Sequence, residues 1–293
     1  MLPEDSEKGR TLSARDHLLV VIDPVARRTD GESVRIAKDV LGAGASIRTC
    51  LPEGPEDFTK ALARRGTRRL VVIGDDRTLL RAVGVLHRER GLGGAALSLV
   101  PVGASQSLAR AFGVPAGAVA AARAVLEGAE RRLDLLVDES DGVVLGDLRI
   151  PPAGAVGAAA RGPAGAAAGA DGHAWLRTCQ SFVRTLAARP SRVAAAPGPG
   201  PARLRVEADG VTLVDLDQPV SDIRVTAGGG GVAQVEVRPS SVGAEAAPVR
   251  VRARTVTVSG SDFRYRADTV LTGPVRSRTW TVRPEAWGLT LPR

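Results

Sequence analysis

Between Leu18 and about Leu135, short β-branched and leucine-rich runs alternate with longer amphipathic segments, and this alternation most narrows what the chain can fold into. The runs "HLLVVID", "SIRTCL", "RRLVVIG" and "ALSLVPV" read as strands. Between them lie "ESVRIAKDVL", with apolar Val34, Ile36, Ala37, Val40 and Leu41 near helical spacing, and "PEDFTKALARR", opened by Pro55 in its first turn. "TLLRAVGVLHRER", "SQSLARAF" and "PAGAVAAARAVLEG" read as further helices, the last closing near Gly128. Strands that alternate with helices predict a parallel sheet covered on both faces. The expected α/β domain spans residues 16–137, behind a flexible tail at 1–15.

After Val137 the texture changes. "PPAGAVGAAARGPAGAAAGADG", residues 151–172, is low in complexity and reads as a flexible surface loop. "HAWLRTCQSFVRTLAARP" reads as one amphipathic helix ended by Pro190. Beyond it, "RLRVEA", "VTLVDL", "DIRVTA", "AQVEVRP", "VRVRARTVTVSG", "FRYRAD" and "SRTWTVRP" are short strands separated by turn residues. Such punctuation predicts a mainly antiparallel β-sandwich over 138–293. Gly228 to Gly231 read as a turn between two of its strands.

Composition excludes several function classes. The formal charge of +8 comes almost wholly from arginine, since Lys8, Lys38 and Lys60 are the only lysines. A basic surface gathers nucleotides or anionic membranes. Aromatics at 3% argue against nucleic acid as a partner, because single-strand binding needs exposed rings for base stacking. Cys50 and Cys179 form no CxxC, and His17, His87 and His173 have no metal-ligand spacing. The polar, acidic opening "MLPEDSEKGRTLSARD" is unlike a secretory signal, and no apolar run approaches the roughly 20 residues of a membrane helix. The expected place is the cytoplasm, with peripheral contact at the inner membrane surface left open; oligomeric state is not readable.

The chain lacks GxxxxGK[ST], a GxGxxG after the first strand, and GxSxG. What remains are two loops at the ends of consecutive strands: "GDDRT", Gly74 to Thr78, and "PVGASQSLAR", Pro101 to Arg110. In parallel α/β sheets ligands settle outside the carboxyl ends of the strands, so these loops are expected to flank one cleft. Asp75 and Asp76 have a simpler reading as caps of the helix that follows.

The order "IDP", a strand ending in Thr49, "GDDRTL", "PVGASQSLARAFGVP" and "AARAVLEGAERRLDL" resembles the diacylglycerol kinase catalytic family. That family includes bacterial lipid kinases and sphingosine kinases and is related in fold to NAD kinases and phosphofructokinases. Its patterns are NP after the first strand, GGDGTLNE after the third and PxGTGNDFARxLGIP after the fourth. Pro101, Gly103, Ala109, Arg110, Gly113 and Pro115 fall in register with the last. A weaker likeness continues to "FRYRADTVLTGPVRSRTWTVRPEAWGLTLP".

The resemblance implies an ATP-dependent transfer of phosphate to a lipid hydroxyl, with ATP and Mg²⁺ as cofactors and a lipid at an anionic membrane surface as partner. It implies a nucleotide site at Thr49, Gly74, Asp75, Asp76, Arg77, Thr78, Gly103, Ala104, Ser105 and Gln106. Asp76 would hold the metal or its water shell, and Asp268 would be the general base. The departures imply the alternative of a catalytically silent binding or regulatory protein. Asp75 and Arg77 replace the second and third glycines, and Leu80 and Arg81 replace the Asn and Glu that follow. Ala104, Ser105, Gln106 and Ser107 replace Thr, Gly, Asn and Asp. The family's DGE becomes Asp268, Thr269 and Val270.

Overall fold

The computed structural model describes residues 17–94, 96–151, 201–240 and 247–293. The expected tail at 1–15, the Ala/Gly-rich loop at 151–172 apart from its first residue, and the helix ended by Pro190 lie outside them.

Four parallel strands build the amino-terminal sheet: β1 (His17–Ile22), β2 (Ser46–Cys50), β3 (Arg69–Gly74) and β4 (Ser98–Pro101), in the order β2-β1-β3-β4. Alternate residues of β1 face opposite sides of this sheet. Leu18, Val20 and Ile22 pack toward α2 (Gly31–Gly44) and α6 (Ala118–Glu127). Leu19 and Val21 pack toward α3 (Pro55–Ala63) and α4 (Asp76–Arg88). Both faces are covered, as the strand and helix alternation predicts. The helix α5 (Ser107–Phe112) ends at Gly113, whose φ of +83° stops it in the left-handed conformation. One helix was not anticipated: α1 (Pro24–Thr29), a short turn capped by Asp23 and started by Pro24.

Among the described residues, those from Ala129 onward form one mainly antiparallel ten-stranded sheet. Its strands are β5 (Ala129–Asp138), β6 (Val143–Val144), β7 (Asp147–Ile150), β8 (Leu204–Ala208), β9 (Val211–Val214), β10 (Val220–Ala227), β11 (Ala233–Pro239), β12 (Val249–Ala253), β13 (Thr255–Ala267) and β14 (Val270–Leu291). The main path runs β12-β11-β10-β7-β13-β14-β5-β6, and β8 and β9 branch from β13. The strands share a core that includes Leu204, Val235, Val256, Tyr265 and Trp280. The expected strand "VRVRARTVTVSG" breaks at Arg254 instead of ending at Gly260. The Asp209 carboxylate accepts from the Arg254 and Thr255 amides at that break. β13 then continues through Gly260, where a φ of +152° and a register shift mark a bulge.

β14 joins the two sheets. Its residues 287–291 pair with β5, and Leu289 also forms a bridge to Leu97 beside β4. Leu97 N–H donates to the Gly288 carbonyl at 2.9 Å, Thr290 N–H to the Leu97 carbonyl at 2.9 Å, and Ser98 Oγ to Thr290 Oγ1 at 2.9 Å. The Gly228–Gly231 turn is tied back to β5, with Gly231 N–H donating to Asp134 at 2.7 Å.

Candidate functional site

The sheet's carboxyl edge places three chain segments together. β1 leads into Asp23, buried, whose carboxylate caps α1 through Val25 N–H at 2.8 Å and also accepts from the Thr78 hydroxyl. β3 ends in Gly74. A Cβ there would lie 2.8 Å from Thr78 Cβ and 3.1 Å from Asp23 Cβ, so this position needs glycine for the close approach. β4 leads into Gly103, whose φ of +124° suits glycine and whose added Cβ would meet Asp75 Cβ at 3.1 Å.

The two neighbouring aspartates do different work. Asp75 is the N-cap of α4: its Oδ1 accepts from the amides of Arg77 at 3.0 Å and Thr78 at 3.2 Å. Asp76 is fully buried and turns to the other loop. Its Oδ2 accepts from Ser105 Oγ at 2.9 Å and from the amides of Ser107 at 2.6 Å and Leu108 at 3.1 Å, while Oδ1 accepts from Ala109 N–H at 3.3 Å. Asp76 thus caps α5 across the cleft, and its own amide donates to the Ser105 carbonyl at 2.9 Å. The partner of the Asp76 carboxylate is therefore the amino-terminal end of α5. A carboxylate that already accepts four hydrogen bonds in the interior has little left to offer a cation. Among the described residues no group of three or more His, Cys, Asp or Glu side chains is arranged to hold a metal.

A cavity of about 350 Å³ opens beside this turn, with Asp23, Arg28, Asp75, Arg77, Thr78 and Arg81 on its walls. The structure brings Asp75, Arg77 and Thr78 to the cavity. Gly74 and Asp76 lie behind it, and Gly103 to Gln106 form the adjoining loop without lining it. Thr49 is half-buried in β2 opposite Val20 and does not line it either. Asp23 and Arg28 were not anticipated, although the "IDP" at the end of β1 was their signal.

Asp268 lies elsewhere, in the β13–β14 turn with a φ of +51°. Its carboxylate accepts from the amides of Leu145 at 2.8 Å, Gly146 at 2.7 Å and Asp147 at 3.0 Å. Burial pushes its pKa up to about 6 against the opposing pull of those amides. The same turn carries Thr269, Val270 and Leu271 onto the wall of a second cavity, of about 640 Å³, that faces α4. Arg77 and Arg81 line both cavities.

The family model for the diacylglycerol kinase catalytic domain matches residues 17–137. Residues 17–137 belong to that family. A solved structure of a diacylglycerol kinase from Bacillus anthracis str. Sterne is similar over 95% of this chain and 98% of its own, with 13% identity and a TM-score of 0.67. Two further solved structures from the same organism reach TM-scores of 0.69 at 13% identity, covering 94% of this chain and 98% and 97% of theirs. At that identity the likeness establishes the shared fold. None of the curated proteins matches this sequence.

Set on the diacylglycerol kinase catalytic domain, the departures in "GDDRT" acquire a geometry. Where the family pattern has glycine, Asp75 supplies an acceptor to the first turn of α4. The amides of Asp76, Arg77 and Thr78 therefore all have acceptors inside the protein. A glycine-rich turn instead leaves such amides free to approach a phosphate.

Proposed function

We propose that this chain is a diacylglycerol kinase-family protein that binds a ligand beside α4 without transferring phosphate to it. The observation that carries this reading is the Asp75 carboxylate on the Arg77 and Thr78 amides. It stands where a nucleotide phosphate would accept, and its negative charge repels one. ATP and Mg²⁺, the cofactors of the family, fit these residues poorly. Phosphoryl transfer rests on positioning and on charge neutralisation by metal and cations. Here the loop amides are taken, and Asp76 is committed to α5. On this reading residues 16–137 carry the altered nucleotide fold, and residues 138–293 supply the second wall of the ligand site.

The kinase reading has one observation in its favour. Asp268 stands where the family's acceptor-activating aspartate is expected, and a pKa near 6 suits a general base. Both its oxygens, however, already accept from backbone amides. The next acidic position of the pattern is Val270.

Calorimetric titration with ATP, with and without Mg²⁺, separates the two. The wild type is expected to bind ATP no tighter than millimolar and to leave radiolabelled γ-phosphate off diacylglycerol. Asp75→Gly, which frees the α4 amides while costing only about a few tenths of a kcal/mol as an N-cap change, is expected to gain at least tenfold in ATP affinity. Mg²⁺-dependent wild-type binding with labelled lipid product would establish a kinase instead.

A further inference from the structure

The larger cavity carries the clearest unassigned chemistry. One wall is α4, on which Arg77, Arg81 and Arg88 fall within about 40° of one another around the helix and span about 16 Å along it. Gly84 sits in the same stripe, and the Arg88 guanidinium lies over it, 3.6 Å from where a Cβ would stand. Like charges at four-residue spacing repel, and among the described residues none of the three arginines has an ion pair. Arg81 also lies 5.7 Å from the centre of the Phe58 ring, which leaves its charge unneutralised.

The opposite wall is the β13–β14 hairpin, where Val270 and Leu271 are 52% and 56% exposed. Deeper in, Trp280 is fully buried, and neither its Nε1–H nor the buried Thr269 hydroxyl has a hydrogen-bond partner. Both residues line the cavity. A buried donor without an acceptor is uncommon in a folded protein. Two acids share this cavity: Asp138 accepts from the Ser140 and Gly142 amides and faces Arg278, and the exposed Asp141 lies 3.5 Å from His87 Nε2.

We propose that this cavity holds an amphiphile that already carries an anionic headgroup, a phosphate or carboxylate, with the arginine stripe on the headgroup and the hairpin on its apolar chain. Arg77 and Arg81 set this specificity, and both replace residues of the family pattern that would favour no anion there. The inference deepens the binding reading above and is assayed without ATP, so that each can fail alone.

The probe is lysophosphatidic acid with a dibrominated acyl chain, held below its micelle concentration and followed by quenching of tryptophan emission. The wild type is expected to bind it at least tenfold tighter than the matching dibrominated monoacylglycerol, which lacks the phosphate. Arg77→Gln/Arg81→Gln is expected to remove that tenfold preference. Leu271→Asp, at an exposed position where folding is undisturbed, is expected to weaken binding of both probes several-fold. Equal binding of the charged and neutral probes would overturn the proposal. So would displacement of the probe by inorganic phosphate at equal affinity, which would mean an anion site without a chain site. Binding to phosphatidylglycerol vesicles with none of the monomeric probe would also overturn it, by reducing the arginines to surface attraction. Transfer of phosphate from ATP in the same preparation would sink the binding reading alone.

Discussion

At the scale of single residues, aspartates organise this molecule by capping amides. Asp75, Asp76 and Asp268 each gather two or more backbone N–H groups, and Asp23 joins one amide to the Thr78 hydroxyl. Asp268 gives this a measurable pH dependence. Its pKa is raised by burial from the ordinary 3.8 to about 6, so between these values the folded chain holds a proton that the unfolded chain has released. Stability from this group is therefore fully present below about pH 4 and falls as pH rises through about 6, by on the order of 3 kcal/mol. Urea midpoints of wild type and Asp268→Asn across that range are expected to show the wild-type advantage shrinking with pH and then levelling. A difference that stays flat would mean that Asp268 titrates normally.

At the scale of elements, the capping pattern decides what could be read from sequence. The Asp75 cap was legible because its partners lie two and three residues away. The Asp76 cap was not, because α5 lies about thirty residues on and nothing local announces which helix end a carboxylate will meet. The parallel strands were legible for the same local reason: each apolar run is bounded by turn residues and followed by a helix of clear period. β5 joins the other sheet because its partner is β14, with Leu133 opposite Trp287, a pairing no local pattern reports. Likewise the arginine stripe of α4 is visible in the spacing of 77, 81 and 88, but the hairpin that faces it is not. Removing the non-local cap should loosen one element more than the rest. Asp76→Ala leaves Ser105 Oγ and the Ser107, Leu108 and Ala109 amides without their acceptor, and is expected to cost about 3 kcal/mol. Hydrogen exchange should rise first in α5 and the 103–106 loop, and an even rise across the α/β sheet would contradict the coupling.

At the scale of the whole molecule, the two sheets share a core. Leu19 and Val72 of the parallel sheet, Leu79 and Val83 of α4, and Leu135, Trp287 and Leu289 of the antiparallel sheet belong to one buried cluster, with Phe112 edge-on to Trp287 at 5.5 Å. Burying apolar surface across the junction couples the unfolding of both halves. Beside the Leu97 backbone hydrogen bonds, that junction carries the Ser98–Thr290 hydroxyl pair, with Ser98 wholly buried and Thr290 6% exposed. Thr290→Val strands the Ser98 hydroxyl and is expected to cost about 1 to 3 kcal/mol, whereas Ser98→Ala with Thr290→Val removes both partners and should restore part of that loss. Far-ultraviolet circular dichroism and tryptophan emission should trace the same urea transition in wild type and in both variants. If the two signals separate, the halves unfold independently, and the cavity between α4 and the hairpin is then a hinge between two bodies that a ligand could close.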